Sequence, residues 1–235
     1  MDLLPADTTA DARDLAATVA VLPIGSFEQH GPFLPLATDT VIACTIAREI
    51  AAAHPVHLLP PVTISCSHEH SGWPGTVSIS AKTLYSVVRD IADSLRLSGV
   101  PKLVLINGHG GNYVLANVVG ESRGEMALFP GPADWETART GARLQTSLDS
   151  DMHAGELETS ILLHAHPELV RPGHDAAGET ADDRRHLLTL GMTAYTGSGV
   201  IGRPSLASAS KGAAVLAGLV ESFAGYLAVL ETGAP

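Results

Sequence analysis

Cysteine, cationic charge and long apolar runs are all scarce in this chain, and each shortage removes a class of protein. Cys44 and Cys66 are the two cysteines among 235 residues. They are too few for a disulfide framework and lack CxxC spacing, and their apolar surroundings read as buried thiols. Fourteen Lys and Arg face 25 Asp and Glu, a formal charge of −11. That argues against a nucleic-acid partner, because phosphate backbones need clustered cations. It leaves an anionic small substrate open. No uninterrupted apolar run reaches the roughly 18 residues of a membrane span. The acidic start, Met1 to Asp14, has no basic segment followed by an apolar stretch, so no secretory signal is visible. The expectation is a cytoplasmic protein with no membrane and no nucleic-acid partner. Charged residues make up only 17% and apolar residues 45%, which excludes a disordered or charged scaffold. The length fits one domain, residues 1–235, with a substantial core.

What is present alternates. Val19 to Ile24 is a continuous apolar run, the signature of a strand buried on both faces. Val41 to Ala53 reads as a helix, Val56 to Val62 as a second strand, and Lys82 to Ser98 as an amphipathic helix stopped by Gly99 and Pro101. Lys102 to Ile106 is a third strand, a helix starts near Tyr113, and Met126 to Phe129 is a fourth strand. Short helices are expected around Trp135 to Ala142 and Gly155 to Ala165, and a long apolar one over Lys211 to Leu230. Strand, loop, helix in repeated order predicts an α/β fold with a mostly parallel sheet covered on both faces. Ligands then gather at the carboxyl ends of the strands.

Histidine is the informative excess, with 11 copies, and several sit in polar clusters at such strand ends. Glu28, His30 and Asp39 follow the first strand. Glu28 and His30 point the same way in an extended loop, and two carboxylates with an imidazole suit a divalent cation. The plain alternative is a polar loop that caps the next helix. His109 lies among glycines in Asn107-Gly-His-Gly-Gly-Asn112, directly after the third strand, where the backbone can approach something closely. A ligand role competes with an anion-binding turn. In Asp151-Met-His153-Ala-Gly-Glu156-Leu-Glu158, Glu158 falls near a buried helix end, while Glu156 reads as solvated and answering the helix dipole. In Ser67-His68-Glu69-His70-Ser71-Gly-Trp73, His68 and His70 share a direction. Trp73 suggests a shaped pocket wall, and the segment reads as substrate-side or interfacial. His54, His57, His164, His166, His174 and His186 lack convergent neighbours. No GxGxxG follows a strand, and no P-loop, GxSxG elbow or HExxH occurs. A hydrolytic metal site assembled from several loops is left.

Taken together, the strings Pro23 to Asp39, Glu69-His70 with Trp73-Pro-Gly-Thr76, Asn107 to Asn112 and His153 to Ser160 resemble the creatininase (creatinine amidohydrolase) family. Gly199 to Pro204 with Lys211-Gly212 looks like its C-terminal element. The similarity runs from about Val21 to Leu230. It implies a three-layer α/β/α fold and two divalent metal ions per subunit, zinc, manganese or iron(II). By position, Glu28 and His109 look like ligands of one metal, His30 of the other, and Asp39 like the bridging carboxylate. Creatininase carries a further ligand where this chain has Gly111, and Glu158 is expected to fill that gap. His153 falls at the catalytic histidine, with Ser67, Glu69, His70 and Trp73 on the substrate side. Creatininase lines its pocket with tryptophan just before that histidine. Leu148 to Met152 has no aromatic residue, although Trp135 could approach from upstream. The resemblance therefore implies hydrolysis of an amide, cyclic amide or formamide C–N bond in a small-molecule substrate, by a homo-oligomer of two to six chains. A mycofactocin-precursor-type peptidase is the alternative within the family, and a non-catalytic metal- or ligand-binding protein is the rival from another class.

Overall fold

The computed structural model describes residues 3–232. After a short capped helix α1 (Thr9–Leu15), the chain alternates between strands and helices: β1 (Val19–Ile24), α2 (Thr38–Ala53), β2 (His57–Leu58), α3 (Ala81–Leu97), β3 (Lys102–Asn107), α4 (Val114–Gly120), β4 (Met126–Phe129), α5 (Pro132–Gly141), α6 (Glu156–Ala165), α7 (Leu187–Leu190) and α8 (Ala209–Thr232). The four strands form one parallel sheet in the order β2-β1-β3-β4.

The core explains why β1 and β3 are apolar throughout. Val19, Val21, Val104 and Ile106 face one buried layer, into which α2, α5, α6 and α8 pack. Ala20, Leu22, Ile24, Leu103 and Leu105 face the other, under α3 and α4. A strand with both faces covered has no polar position to spare. The result is the expected α/β/α sandwich.

One expectation needs correction. The second strand shrinks from Val56–Val62 to His57–Leu58, with Val62 making only an isolated bridge to Ile24. Pro60 and Pro61 cannot donate to a ladder, so regular pairing stops before them. No uninterrupted apolar run of membrane length occurs, but mean composition is a separate measure. α8 has a mean hydropathy of 1.8 and is long and apolar enough, by length and composition, to cross a membrane. It carries Lys211 and Glu221, which interrupt any strict apolar run without outweighing its Ala, Leu and Val. Here its Val215, Leu216, Leu219 and Phe223 are buried against the domain.

Candidate metal centre

The strand order places a topological switch point between β1 and β3, which continue into loops at the same sheet edge because Ile24 pairs with Asn107. Ligands in open α/β sheets gather at this position. Two glycines let a third element reach it. A Cβ at Gly25 would overlap the backbone of Thr40, and one at Gly108 would overlap the carbonyl of Asp39. The first turn of α2 therefore sits directly on both strand ends and delivers Asp39 between them. Glu28 and His30 arrive from the loop after β1, His109 from the loop after β3, and Glu158 from the first turn of α6.

The side chains converge. Asp39 Oδ1 lies 3.0 Å from His30 Nε2, and Asp39 Oδ2 lies 2.9 Å from His109 Nδ1. Glu28 Oε2 is 3.2 Å from His109 Nε2. Ligand-capable atoms of Glu28, Asp39 and His109 lie within 4.8 Å of one another, and so do those of His30, Asp39 and Glu158. Asp39 belongs to both groups and turns one oxygen toward the imidazole of each. A third group, Glu28, His30 and His153, meets the same spacing. The capping alternative fails here, because α2 has no side-chain cap.

The donor set fits divalent cations. Both carboxylate oxygens of Glu28 are buried without a hydrogen-bond partner, a costly state for an anion unless something else neutralises it. His30 Nδ1–H donates to the Glu28 carbonyl at 3.0 Å, and His109 Nε2–H donates to the Cys66 carbonyl at 2.7 Å. Each ring thus has its far nitrogen held by a backbone carbonyl, the arrangement that orients metal-binding histidines. The titration behaviour agrees. Burial opposes charge on His30 and His109, yet the surrounding carboxylates raise them to about 9 and about 10. Burial pushes Glu28 up to about 7 and Glu158 to about 8. Burial also disfavours charge on Asp39, but the flanking imidazoles hold it well below the carboxylate range. The raised values of His30 and His109 are those of imidazoles whose protons a bound metal would displace.

His153 stands at the edge of this cluster. It is pinned by a two-residue bridge to Ile201 and by Nε2–H donating to the Gln29 carbonyl at 2.6 Å. Its Nδ1 is left 3.8 Å from Glu28 Oε1. Burial, then the neighbouring His30 and His70, push its pKa well down. The next residue, Ala154, is left-handed at φ 53°, and its N–H donates to Glu158 Oε2 at 2.6 Å. That strained turn is what aims Glu158 inward.

The substrate-side residues divide. Ser67 is fully buried, its hydroxyl beside Glu28. His70 is buried against Glu28 Oε1 at 3.2 Å. Glu69 lines a cavity of about 210 Å³ together with His70, His153 and Glu158. Its carboxylate occupies the space that a Cβ on Gly111 would need, and Glu158 lies on the other side of the cluster, with His30 and Asp39. Trp73 instead packs with Leu187, Met192 and Ile201 and lines neither cavity at the site. A second cavity, of about 280 Å³, lies across Met152, Gly110, His109 and Glu158, and Trp135 lines it. Glu156 is buried rather than solvated. It accepts from Lys211 Nζ at 2.5 Å and from the amides of Gln145 and Thr146.

Three residues that the motif reading passed over hold the site together. Gln29 Nε2 lies 3.0 Å from His70 Nδ1 and donates to the Gly199 carbonyl. Ser26 Oγ donates to Asp39 Oδ2 at 2.7 Å. Asn112 donates to Asn107 Oδ1 and accepts from the Cys66 amide, which fixes the loop that presents His109. Their position inside the same short strings was the available signal.

Fold and site together define a parallel α/β protein with a buried carboxylate–imidazole cluster, suited to paired cations, at its switch point. The creatininase family model, described as creatinine amidohydrolase, matches residues 6–227, and the chain belongs to that family. It is 36% identical over 214 residues to a mycofactocin precursor peptide peptidase of Mycobacterium ulcerans (strain Agy99), covering 86% of this chain and 81% of the relative. The corresponding peptidase of Mycolicibacterium smegmatis is 34% identical over 92% of this chain and 87% of its own length. A crystal structure of creatinine amidohydrolase superposes with a TM-score of 0.80 at 20% identity, covering 99% and 98% of the two chains, a likeness of fold.

Proposed function

We propose that this protein hydrolyses an amide C–N bond with two divalent cations, zinc, manganese or iron(II), held by Glu28, Asp39 and His109 on one side and by His30, Asp39 and Glu158 on the other. The observation that carries this reading is the Asp39 carboxylate, shared between two ligand groups with one oxygen toward each. Cations bound there supply an activated water and a polarised carbonyl. The chain's own residues do the rest. Ser26 and the carbonyls of Glu28 and Cys66 fix the ligands in place. His153 has its Nε2–H committed to Gln29, so Nδ1 is the atom that takes up a proton and passes it to the departing nitrogen. Glu69 and His70 line the approach.

Identity to the mycobacterial peptidases supports a peptide amide over a cyclic one. So does the aromatic wall, which comes from Trp135 on α5 rather than from the segment before His153. The proposal extends to a homo-oligomer of two to six chains, supported by the apolar residues of α8 left beside the open edge of β4. A cytoplasmic setting is supported by the two unpaired buried thiols.

Metal analysis and turnover of Asp39→Ala test the reading. Wild type should hold two equivalents per chain and cleave amides. The variant should lose both metals and lose activity beyond the ~10–100-fold typical of outer-shell partners. Wild-type turnover by a fully metallated Asp39→Ala would sink the scheme. One equivalent in wild type indicates a mononuclear site, and none after metal supplementation a binding protein without this chemistry.

A further inference from the structure

The cavity that opens onto His153 and Glu158 contains a guanidinium that the fold anchors without pairing. Arg184 lines it beside Glu69 and Tyr113. It lies just ahead of α7, in the segment that crosses between α6 and α8. Its Nη1 donates to the carbonyls of Asp149 at 2.6 Å and Ala181 at 3.0 Å. Among the described residues, no carboxylate lies within ion-pair distance of Arg184, and no acceptor meets its Nε or Nη2. Its neighbours behave differently. Arg185 forks onto both oxygens of Asp183 at 3.0 Å with its side chain 72% exposed, and Arg139 closes on buried Asp151 at 2.8 Å. Arg184 is half-buried, held by backbone and left with free donors at the mouth of the site.

A guanidinium fixed along one edge, with its remaining N–H groups free, matches the geometry of a planar oxyanion. The charge balance selects among oxyanions. Arg184 is the one Arg or Lys lining this cavity, and Glu69 and Glu158 line it too. With Glu158 committed to the cations, a dianion such as a phosphate monoester still meets the Glu69 carboxylate beside this single guanidinium, inside a chain that is already strongly acidic. A carboxylate carries half that charge and suits the fork. We propose that Arg184 binds a carboxylate on the substrate, and that the preferred substrate class is therefore an amide ending in a free carboxylate, as at the C-terminus of a short peptide. This inference rests on the amide-hydrolase reading and gives it a direction. The carboxylate end lies on the Arg184 side, and the rest of the substrate runs past Met152 and Gly110 toward the Trp135 cavity, since those two residues line both compartments.

Binding without turnover is the first test. A ketomethylene dipeptide isostere, which has no amide to cleave, is titrated calorimetrically into the metal-loaded protein as its carboxylate, its carboxamide and its phosphonate. In wild type the carboxylate should bind about tenfold or more tighter than the carboxamide, as expected for a charge-assisted pair. In Arg184→Met that ratio should fall to about one with metal content unchanged. Arg184→Lys should keep part of it, because it retains the charge and loses the fork. Equal affinities in wild type overturn the proposal. So does an undiminished preference in Arg184→Met, which assigns the carboxylate to the metals instead. A phosphonate that outbinds the carboxylate overturns the choice of a monoanion. Kinetics then separate the two readings. An Arg184-dependent preference in a protein that cleaves no amide upholds the carboxylate site and removes the hydrolase. Amide cleavage with no Arg184-dependent preference does the reverse.

Discussion

Glu156 and Glu158 sit two residues apart in the first turn of α6, and they belong to opposite kinds of buried-charge network. Glu156 joins a closed one. It takes Lys211 and three donors from Gln145 and Thr146, while Asp151 beside it takes Arg139 and the amides of Glu156 and Leu157. Every acceptor there has its donor within the chain. Glu158 joins an open network, in which neither oxygen of Glu28 receives a formed hydrogen bond and its nearest polar groups are the crowded imidazoles of His70 and His109 at 3.2 Å. Buried charge alone does not mark a site. A buried carboxylate that the fold leaves without donors does, because its desolvation needs an external counter-charge.

A crossed pair of substitutions is the strongest way to break this contrast. Glu156→Gln should destabilise the protein by about 3 kcal/mol, since it leaves the largely buried Lys211 ammonium without a counter-charge, on the Leu206 carbonyl alone, while the folded fraction keeps its metal. Glu28→Gln should do the opposite. Metal affinity should fall by more than ~100-fold, and the melting temperature of the metal-free protein should barely move, because no hydrogen bond is lost. Thermal melts and metal analysis of both variants, with the outcomes exchanged, would erase the distinction.

A middle-sized effect sharpens it. Gln29→Ala removes the group that steadies His70 and leaves the backbone carbonyl that holds His153. Turnover should drop about 10–100-fold, with the metals retained. Metal loss in this variant would place Gln29 among the supports of the ligands themselves.

The smallest effect concerns the rim segment. Hydrogen bonds from Ser198, Thr196 and Gly197 pull Glu179 down to about 2, from an ordinary 4.5. The folded value is the lower one, so this carboxylate adds stability above pH ~4.5 and loses it as the pH falls toward 2. Glu179 is largely solvated, so the contribution is modest. Protection factors at Gly197 and Ser198, exchange rates divided by the intrinsic rate at each pH, should fall over that range in wild type and stay flat there in Glu179→Gln.

Much of this was legible in the chain. Apolar β1 and β3 declared a sheet buried on both sides, and the strings around Glu28, His30, Asp39, His109, His153 and Glu158 marked the loops that meet at its edge. Other features depended on distance in three dimensions. Glu156 looked solvated because its partner Lys211 lies 55 residues away. Trp73 looked like a pocket wall because nothing local shows that Leu187, Met192 and Ile201 pack around it. The second strand looked longer because an apolar run does not reveal where Pro60 stops the ladder.

The sequence by itself determined which side chains could do chemistry and that they lie just past strand ends, since short-range pattern and glycine placement are local properties. Only the tertiary structure decided which carboxylates are satisfied and which are left open, and that Arg184 reaches the mouth of the site unpaired. Those outcomes depend on which distant donors the packing brings within about 3 Å, the range over which a hydrogen bond forms.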